Sequence, residues 1–289
     1  PAIPLNQVRR RNPNFGSIRF KVSDSNSFYN SLQLNVQTRL GRGLTGSLSY
    51  TFSKSIDDGS SSLGRNEFAN GQARSQDPFN LTQSRGLSDF DVRHRLSANF
   101  SYELPFGPGR KFLSEATGVA RLLVEGWQLN GILSAESGLP LSPIFTFDQD
   151  RDGSIDNEQR PNLAPGVTRI PTHLSNTQLF DPTVFRIPNV GTRGNLGRNI
   201  IEGPGLVTFD PSITKSFYLN SDGTRSIQFR TEIFNAFNHP NFAIPEVGNL
   251  TVFTNVDSAG KGILNPTAGQ ITKTSTSSRQ IQFSLRLVF

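Results

Sequence analysis

The residues of this chain that are best suited to chemistry form one acidic run. They are Asp148, Asp150, Asp152, Ser154 and Asp156. They occupy positions one, three, five, seven and nine of a stretch with Gly153 at position six, as in the first part of an EF-hand-type calcium loop. Gln159 replaces the bidentate glutamate at position twelve, so the spacing predicts a calcium site that orders a loop with weak affinity, ~10⁻⁴ to 10⁻³ M. A solvated acidic turn explains the run equally well.

The sequence contains few combinations of residues that could form a catalytic site. The three histidines, His94, His173 and His239, lie in no HExxH motif and in no Ser-His-Asp arrangement. The absence of cysteine excludes disulfides and thiolate metal sites. The glycine-rich segment 191–198 only superficially suggests a phosphate loop, because no strand precedes it and no helix follows it. We therefore predict no enzyme activity, no catalytic residue and no cofactor-binding residue.

The clearest indication of the fold is the terminal segment 280–289. Its polar positions, Gln282, Ser284 and Arg286, alternate with apolar ones, and the segment stops on an aromatic residue. The apolar residues of this row are Ile281, Phe283, Leu285, Leu287 and Phe289. Side chains of a strand point to alternate faces, so one face suits lipid and the other suits water. This pattern favours the last strand of a bacterial outer-membrane β-barrel over a strand of a soluble sandwich.

The composition agrees with a membrane barrel. No run approaches the ~20 apolar residues that a membrane-spanning helix needs, and the hydrophobic content is 34%. That content is low for a large buried core, but it is natural for a barrel with a polar lumen and polar loops. The net charge of +6 is scattered along the chain, which argues against nucleic acid as a partner.

Alternating segments and connection lengths predict the fold class: all-β, an antiparallel transmembrane β-barrel segment with long extracellular loops. Strands are predicted near 15–22, 32–40, 44–53, 95–104, 127–134, 206–217, 226–235 and 280–289. The turns near 41–43, 105–120 and 220–224 then fall on the periplasmic side. We expect 55–90, 136–204 and 236–277 to be extracellular loops without regular structure. Aromatic residues near strand ends could form interfacial girdles or be ordinary strand aromatics.

Several motifs resemble the C-terminal barrel of Oar-like TonB-dependent receptors. They are YNSLQ (29–33), YTFSKSIDD (50–58), GLSDFDVRHR (86–95), ELPFG (103–107), GWQL (126–129), GLP (138–140) and EIFNAFNHPNF (232–242). The resemblance implies a regulatory-like domain, a plug and a 22-stranded barrel, of which 1–289 would hold about the last eight strands. The chain has no methionine and shows no signal peptide, so we expect a C-terminal fragment that lacks the regulatory-like domain and the plug.

The resemblance also implies partners: outer-membrane lipid, the TonB system through regions outside this chain, and the barrel assembly machinery. The last would recognise the terminal strand, with Phe283, Leu285, Leu287 and Phe289 as the assembly signal. The favoured function is transport of a bulky, unidentified solute across the bacterial outer membrane. A secreted or surface-attached β-rich binding or adhesion module without a pore is the alternative.

Overall fold

The computed structural model describes residues 23–40, 43–60, 75–77, 80–151, 159–220 and 224–289. The described chain is almost entirely β structure. Its strands are β1 (Ser27–Leu40), β2 (Leu44–Asp57), β3 (Gly86–Leu87), β4 (His94–Glu103), β5 (Trp127–Glu136), β6 (Pro140–Leu141), β7 (Ile144–Phe145), β8 (Asn162–Leu163), β9 (Thr172–Ser175), β10 (Gln178–Phe180), β11 (Phe185–Arg186), β12 (Ile201–Glu202), β13 (Leu206–Tyr218), β14 (Ser226–Phe234), β15 (Thr251–Val256), β16 (Gly262–Leu264) and β17 (Gln280–Val288). The helices are α1 (Gly118–Val124) and α2 (Val247–Leu250), and single 3₁₀ turns cover Leu81–Ser84 and Pro182–Val184.

Seven long strands form one antiparallel sheet in the order β1-β2-β4-β5-β13-β14-β17, and β3 pairs with the end of β2. Each long strand pairs with the next long strand of the chain, which confirms the predicted meander. Among the described strands β1 and β17 do not pair with each other, so the sheet is open. The strand predicted near 15–22 lies outside the described residues.

Two strands are longer than their apolar alternation indicated. Strand β1 begins at Ser27, five residues before the predicted Leu32, and β2 continues past Ser53 to Asp57. The additional residues at the end of β2 pair with β3, with Ile56 opposite Leu87. On the apolar face Asn30 of β1 lies opposite Lys54 of β2, and these polar side chains interrupt the apolar pattern from which strand ends are read.

The connections alternate in length as predicted. The links from β1 to β2, from β4 to β5 and from β13 to β14 are shorter than the links that alternate with them, which are 58–93, 137–205 and 235–279. In an antiparallel meander every second connection lies at the same end of the sheet. All long links therefore emerge at one end, and the link 104–126, which contains α1, lies at the other.

The long links 137–205 and 235–279 are folded, so the expectation of loops without regular structure was wrong. We call this folded part the cap. It contains four small sheets: β6 with β12, β8 with β11, β9 with β10, and β7 with β15 and β16. Its hydrophobic core consists of Leu141, Ile144, Phe145, Ile170, Leu179, Phe180, Phe185, Leu196, Ile201, Leu250, Val252, Phe253 and Ile271. Its strands have two to six residues, and such short strands show little or no period, which explains why the sequence did not reveal the cap.

No helix within the described ranges is both long enough and apolar enough to cross a membrane.

Candidate functional site

The seven-stranded sheet has a polar face whose side chains bond to one another. The hydroxyl of Ser49 donates to Oδ1 of Asn35 at 2.7 Å, and Nδ2 of Asn99 donates to the hydroxyl of Ser47, also at 2.7 Å. These pairs join β1 to β2 and β2 to β4, because the register places the partners on the same face of neighbouring strands. The polar face is a continuous hydrogen-bonding surface of the kind that water can wet.

The opposite, apolar face carries exposed aliphatic and aromatic side chains. Phe229 is directly opposite Leu285 in the register of β14 and β17, and its ring stacks on that of Phe283 with centroids 6.0 Å apart. Exposed members of this face include Leu32, Leu34, Val36, Leu48, Phe52, Phe100, Ile213, Ile281 and Leu287. Ile132 is an exception, exposed on the polar face opposite Asn99. A single-layer sheet with such a face needs an apolar environment on that side.

The predicted assembly residues lie at the open edge of the sheet. Phe283, Leu285 and Leu287 belong to β17 and are more than half exposed, and Phe289 follows the strand with 93% of its surface exposed. The other edge of β17 has no partner among the described strands. Recognition of this row by an assembly machine stays a prediction.

Aromatic clusters mark both ends of the apolar face. At the cap end the hydroxyl of Tyr50 lies 2.8 Å from Nδ1 of His94, whose ring centroid is 5.1 Å from that of Phe52. At the opposite end, Nζ of Lys215 lies 5.2 Å from the ring centroid of Trp127. Two clusters at the two strand ends are what interfacial girdles would look like. The reading as ordinary strand aromatics stays open.

A buried ion-pair network joins the cap to the sheet. The guanidinium of Arg198, in the segment before β12, binds the carboxylate of Asp57 and donates to the backbone carbonyl of Asp57 at 3.0 Å. It also lies 3.8 Å from the carboxylate of Asp89, which accepts from Nδ2 of Asn199 at 2.6 Å. Burial raises the pKa of Asp89 to about 6, while the Asn199 hydrogen bond and the Arg198 charge lower it. We call this network the junction.

Beside the junction, the cap and the link 58–93 line a partly open cavity of about 620 Å³. Its lining includes the side chains of Gln83, Asp150, Arg160 and Arg193, together with the glycine-rich segment 191–197. Arg193 forms ion pairs with Asp77 and, at 3.0 Å, with Asp150. The cavity therefore combines two guanidinium groups with a wall that is largely backbone.

Arg160 is held in place by its neighbours in the chain. Immediately before it, the backbone N–H of Phe145 donates to the carbonyl of Gln159 at 2.8 Å. Immediately after it, Leu196 N–H donates to the carbonyl of Pro161 at 3.2 Å. A side chain at position 194 would overlap the carbonyl oxygen of Arg160, so the turn against Arg160 requires Gly194. Backbone contacts on both sides therefore fix the position of the Arg160 backbone, from which the guanidinium side chain extends.

The predicted calcium loop is described only in part. Asp152, Ser154 and Asp156 lie outside the described residues, whereas Asp148 and Asp150 are half-buried at its start. Oδ1 of Asp150 accepts from the Gln159 side chain at 2.6 Å, and Oδ2 of Asp150 accepts from Arg193 at 3.0 Å. Positions three and twelve of the predicted calcium loop, Asp150 and Gln159, are thus joined by a hydrogen bond. Within the described ranges no three His, Cys, Asp or Glu residues gather as a metal site, and calcium binding stays a prediction.

Sequence reasoning missed the arginines of the cap. Arg160, Arg193 and Arg198 lie in polar, glycine-containing stretches that look like solvated loops, and only the fold brings them together. The segment 191–198 was predicted to be an external loop, and it is a loop. The signal that could have drawn attention to it is the pair of arginines spaced among glycines, which leaves backbone accessible beside two positive charges.

Comparison with protein-family models agrees with this architecture. The family described as "Outer membrane beta barrel domain" matches residues 2–282. Among solved structures, the outer membrane transporter YddB from Escherichia coli is similar with a TM-score of 0.40 and 9% identity; the alignment covers 91% of this chain and 25% of that chain. This chain therefore spans about a quarter of the length of that transporter. No curated protein matches.

The family match covers almost the entire chain, and the two faces of the sheet are those expected of the wall of an outer-membrane barrel. Proteins of this family reside in the bacterial outer membrane, and so does this one. The chain belongs to the outer membrane beta barrel domain family.

Proposed function

We propose that this chain forms part of the wall and the extracellular cap of a TonB-dependent transporter that moves a bulky solute across the outer membrane. The observation that best supports the proposal is the single-layer sheet, with hydrogen-bonded polar side chains on one face and exposed apolar side chains on the other. A wall between an aqueous lumen and lipid requires this division. The folded cap adds a surface on which a solute can be recognised before it enters.

The open sheet supports a larger barrel. In lipid every backbone N–H and C=O group needs a partner, so strands β1 and β17 each need a neighbour on their outer edge. Seven strands also enclose too little space for a bulky solute. We propose that the described strands are one segment of a barrel of about 22 strands, as the resemblance to Oar-like receptors implies. The plug and the TonB-coupling segment would then lie outside 1–289.

No observation favours the alternative of a poreless binding or adhesion module. Such a module would fold in water and would have to cover the apolar side chains of β1, β14 and β17. Those side chains are exposed along the whole sheet, as the exposure of Leu34, Phe229 and Leu285 shows. The cap buries its own core and leaves this face uncovered.

An uptake experiment tests the transport proposal. Cells of an outer-membrane host that express the full-length parent protein are incubated with a casein digest and a partial pectin hydrolysate, and depletion of each component is followed by mass spectrometry. We expect components too large for general porins to be depleted only from energised cells that express the protein. Cells with empty vector and cells treated with a protonophore are the controls. Depletion that survives the protonophore would indicate a passive pore, and surface binding without depletion would indicate adhesion.

A further inference from the structure

Arg160 is a buried cation that has no counterion among the described residues. Its side chain and backbone together are 3% exposed, and its Nη2 donates to the backbone carbonyl of Gln83 at 2.9 Å. Its Nε is buried without a hydrogen-bond partner, and no carboxylate of the described residues forms an ion pair with it. Burial and the nearby charge of Arg198 lower the pKa of Arg160 to about 10, so the group stays protonated at neutral pH.

The other two arginines of the region are compensated. Arg198 pairs with Asp57 and lies close to Asp89, and Arg193 pairs with two carboxylates of its own. Removing a charge from water is costly unless an opposite charge and hydrogen bonds replace the solvent. Arg160 receives one neutral carbonyl and the repulsion of Arg198. This imbalance marks Arg160 as the position in the cavity where an anion would be most stabilised.

The cavity provides room for an organic anion. Its volume of about 620 Å³ falls in the range of small-molecule sites, ~300 to 1,000 Å³, and far exceeds the space that an inorganic ion needs. The glycine positions of segment 191–197 let a ligand approach the backbone closely. Asp150 also lines the cavity, but Arg193 and Gln159 engage both of its oxygens, so its charge is already compensated.

We propose that the cap cavity binds the carboxylate of an organic solute, with the guanidinium of Arg160 as its principal partner. A guanidinium presents a planar fork of donors that matches the two oxygens of a carboxylate. The carboxylate can belong to a peptide C-terminus or to an acidic sugar, since both present the same planar group. Naming this carboxylate as part of the transported solute rests on the proposed function, whereas the binding site itself does not.

Binding to the detergent-solubilised full-length parent protein tests the site. Calorimetric titrations use four probes: acetylated trialanine with a free C-terminal carboxylate, the same peptide as its amide, trigalacturonate and inorganic phosphate. We expect at least one carboxylate probe to bind and the peptide amide to bind at least tenfold more weakly than the peptide acid if the peptide is the ligand. Preference for trigalacturonate would assign the site to acidic sugars. Equal binding of peptide acid and amide without sugar binding, tighter binding of phosphate than of any carboxylate, or no carboxylate binding up to ~10 mM would overturn the proposal.

Variants locate the site within the protein. Arg160→Gln should weaken carboxylate binding at least tenfold, and Arg160→Lys should bind at an intermediate level, because an ammonium keeps the charge but loses the fork. Arg169→Gln is the matched control, since Arg169 is an exposed arginine of the same cap, and it should bind like the wild type. Unchanged affinity in Arg160→Gln would also overturn the proposal.

Thermal unfolding separates a binding role from a structural one. In the free protein Arg160→Gln should leave the midpoint of cap unfolding unchanged or raise it, since it removes an uncompensated buried charge. The carboxylate probe should raise the midpoint of the wild type and leave that of the variant unchanged. If Arg160→Gln instead unfolds the cap, Arg160 has a structural role through Gln83 and the proposal fails. Binding without energised uptake would refute transport and leave the site standing, whereas uptake without binding would do the reverse.

Discussion

Leu285→Arg tests which face of the sheet meets lipid. Strand β17 runs from Gln280 to Val288, so Ser284 is its central residue and Leu285 lies one position, about 3.3 Å, from the centre. Leu285 is 69% exposed on the apolar face, opposite Phe229. An arginine on the lipid face near the bilayer midplane costs about 2 to 4 kcal/mol. At about 1.4 kcal/mol per tenfold change, the folded fraction should fall by roughly 30- to 1,000-fold relative to the unfolded one.

The register of β14 and β17 supplies the control. Gln282 lies on the polar face of the same strand and is directly opposite Glu232, so Gln282→Arg adds a favourable charge pair and should change stability by less than about 1 kcal/mol. Ser284 is a poorer control, because it is opposite Arg230 and an arginine there would face a like charge.

The assay is urea unfolding of the full-length parent protein in lipid vesicles, read by heat-modifiable migration on gels. Outer-membrane fractions of expressing cells provide the same comparison in vivo. We expect assembly to decrease for Leu285→Arg and to stay near wild type for Gln282→Arg. Equal effects of the two variants, or a larger effect of Gln282→Arg, would refute the assignment of the apolar face to lipid.

Three further predictions concern the cap. The first concerns the junction that holds the cap. Because burial raises the pKa of Asp89 from 3.8 to about 6, the carboxylate destabilises the folded junction progressively between about pH 4 and 6, by about 3 kcal/mol above that range. Asp89→Asn should therefore be more stable than wild type above pH 6 and equally stable near pH 4, as hydrogen exchange corrected for intrinsic rates would show; equal pH slopes would contradict this. Phe180→Ala empties a fully buried position and should cost about 3 to 5 kcal/mol, so that protease cleaves the cap while the barrel keeps its heat-modifiable migration. Calcium titration should show binding with Kd ~10⁻⁴ to 10⁻³ M that weakens in Asp148→Asn and Asp152→Asn, and no response up to ~10 mM would leave only the solvated acidic turn.

The sheet could be predicted from the sequence because it is a single layer between two solvents. Each strand must alternate where it separates lipid from water, so Leu34 and Val36 in β1 or Phe283 and Leu285 in β17 carry the same signal. The connection lengths then fix which ends of the strands lie together. The register follows as well, since a slip of one residue would turn every apolar side chain to the polar face.

The cap could not be predicted in this way. Its core brings together residues far apart in the chain, such as Leu141, Phe180 and Val252, on strands of at most six residues. Arg160 gave no signal either, because its burial depends on contacts with Gln83 and Gly194, which are far away in sequence. The alternation of a strand can be read from one segment of sequence. The burial of a charged side chain depends instead on how several distant segments pack around it.

The junction and the cap core have different roles: the junction positions the cap, and the core stabilises it. The pairing of Arg198 with Asp57 ties the cap to the last residue of β2. A buried ion pair adds little net stability, but breaking it is costly, so it specifies position more than it stabilises. The apolar core stabilises the cap by burying side chains that all belong to the cap itself. Since Arg160 lies within the electrostatic reach of Arg198, an anion bound at Arg160 would reduce the repulsion on the residue that anchors the cap to β2. Occupancy of the cavity would therefore change the electrostatic environment of the Arg198–Asp57 pair that joins the cap to the wall.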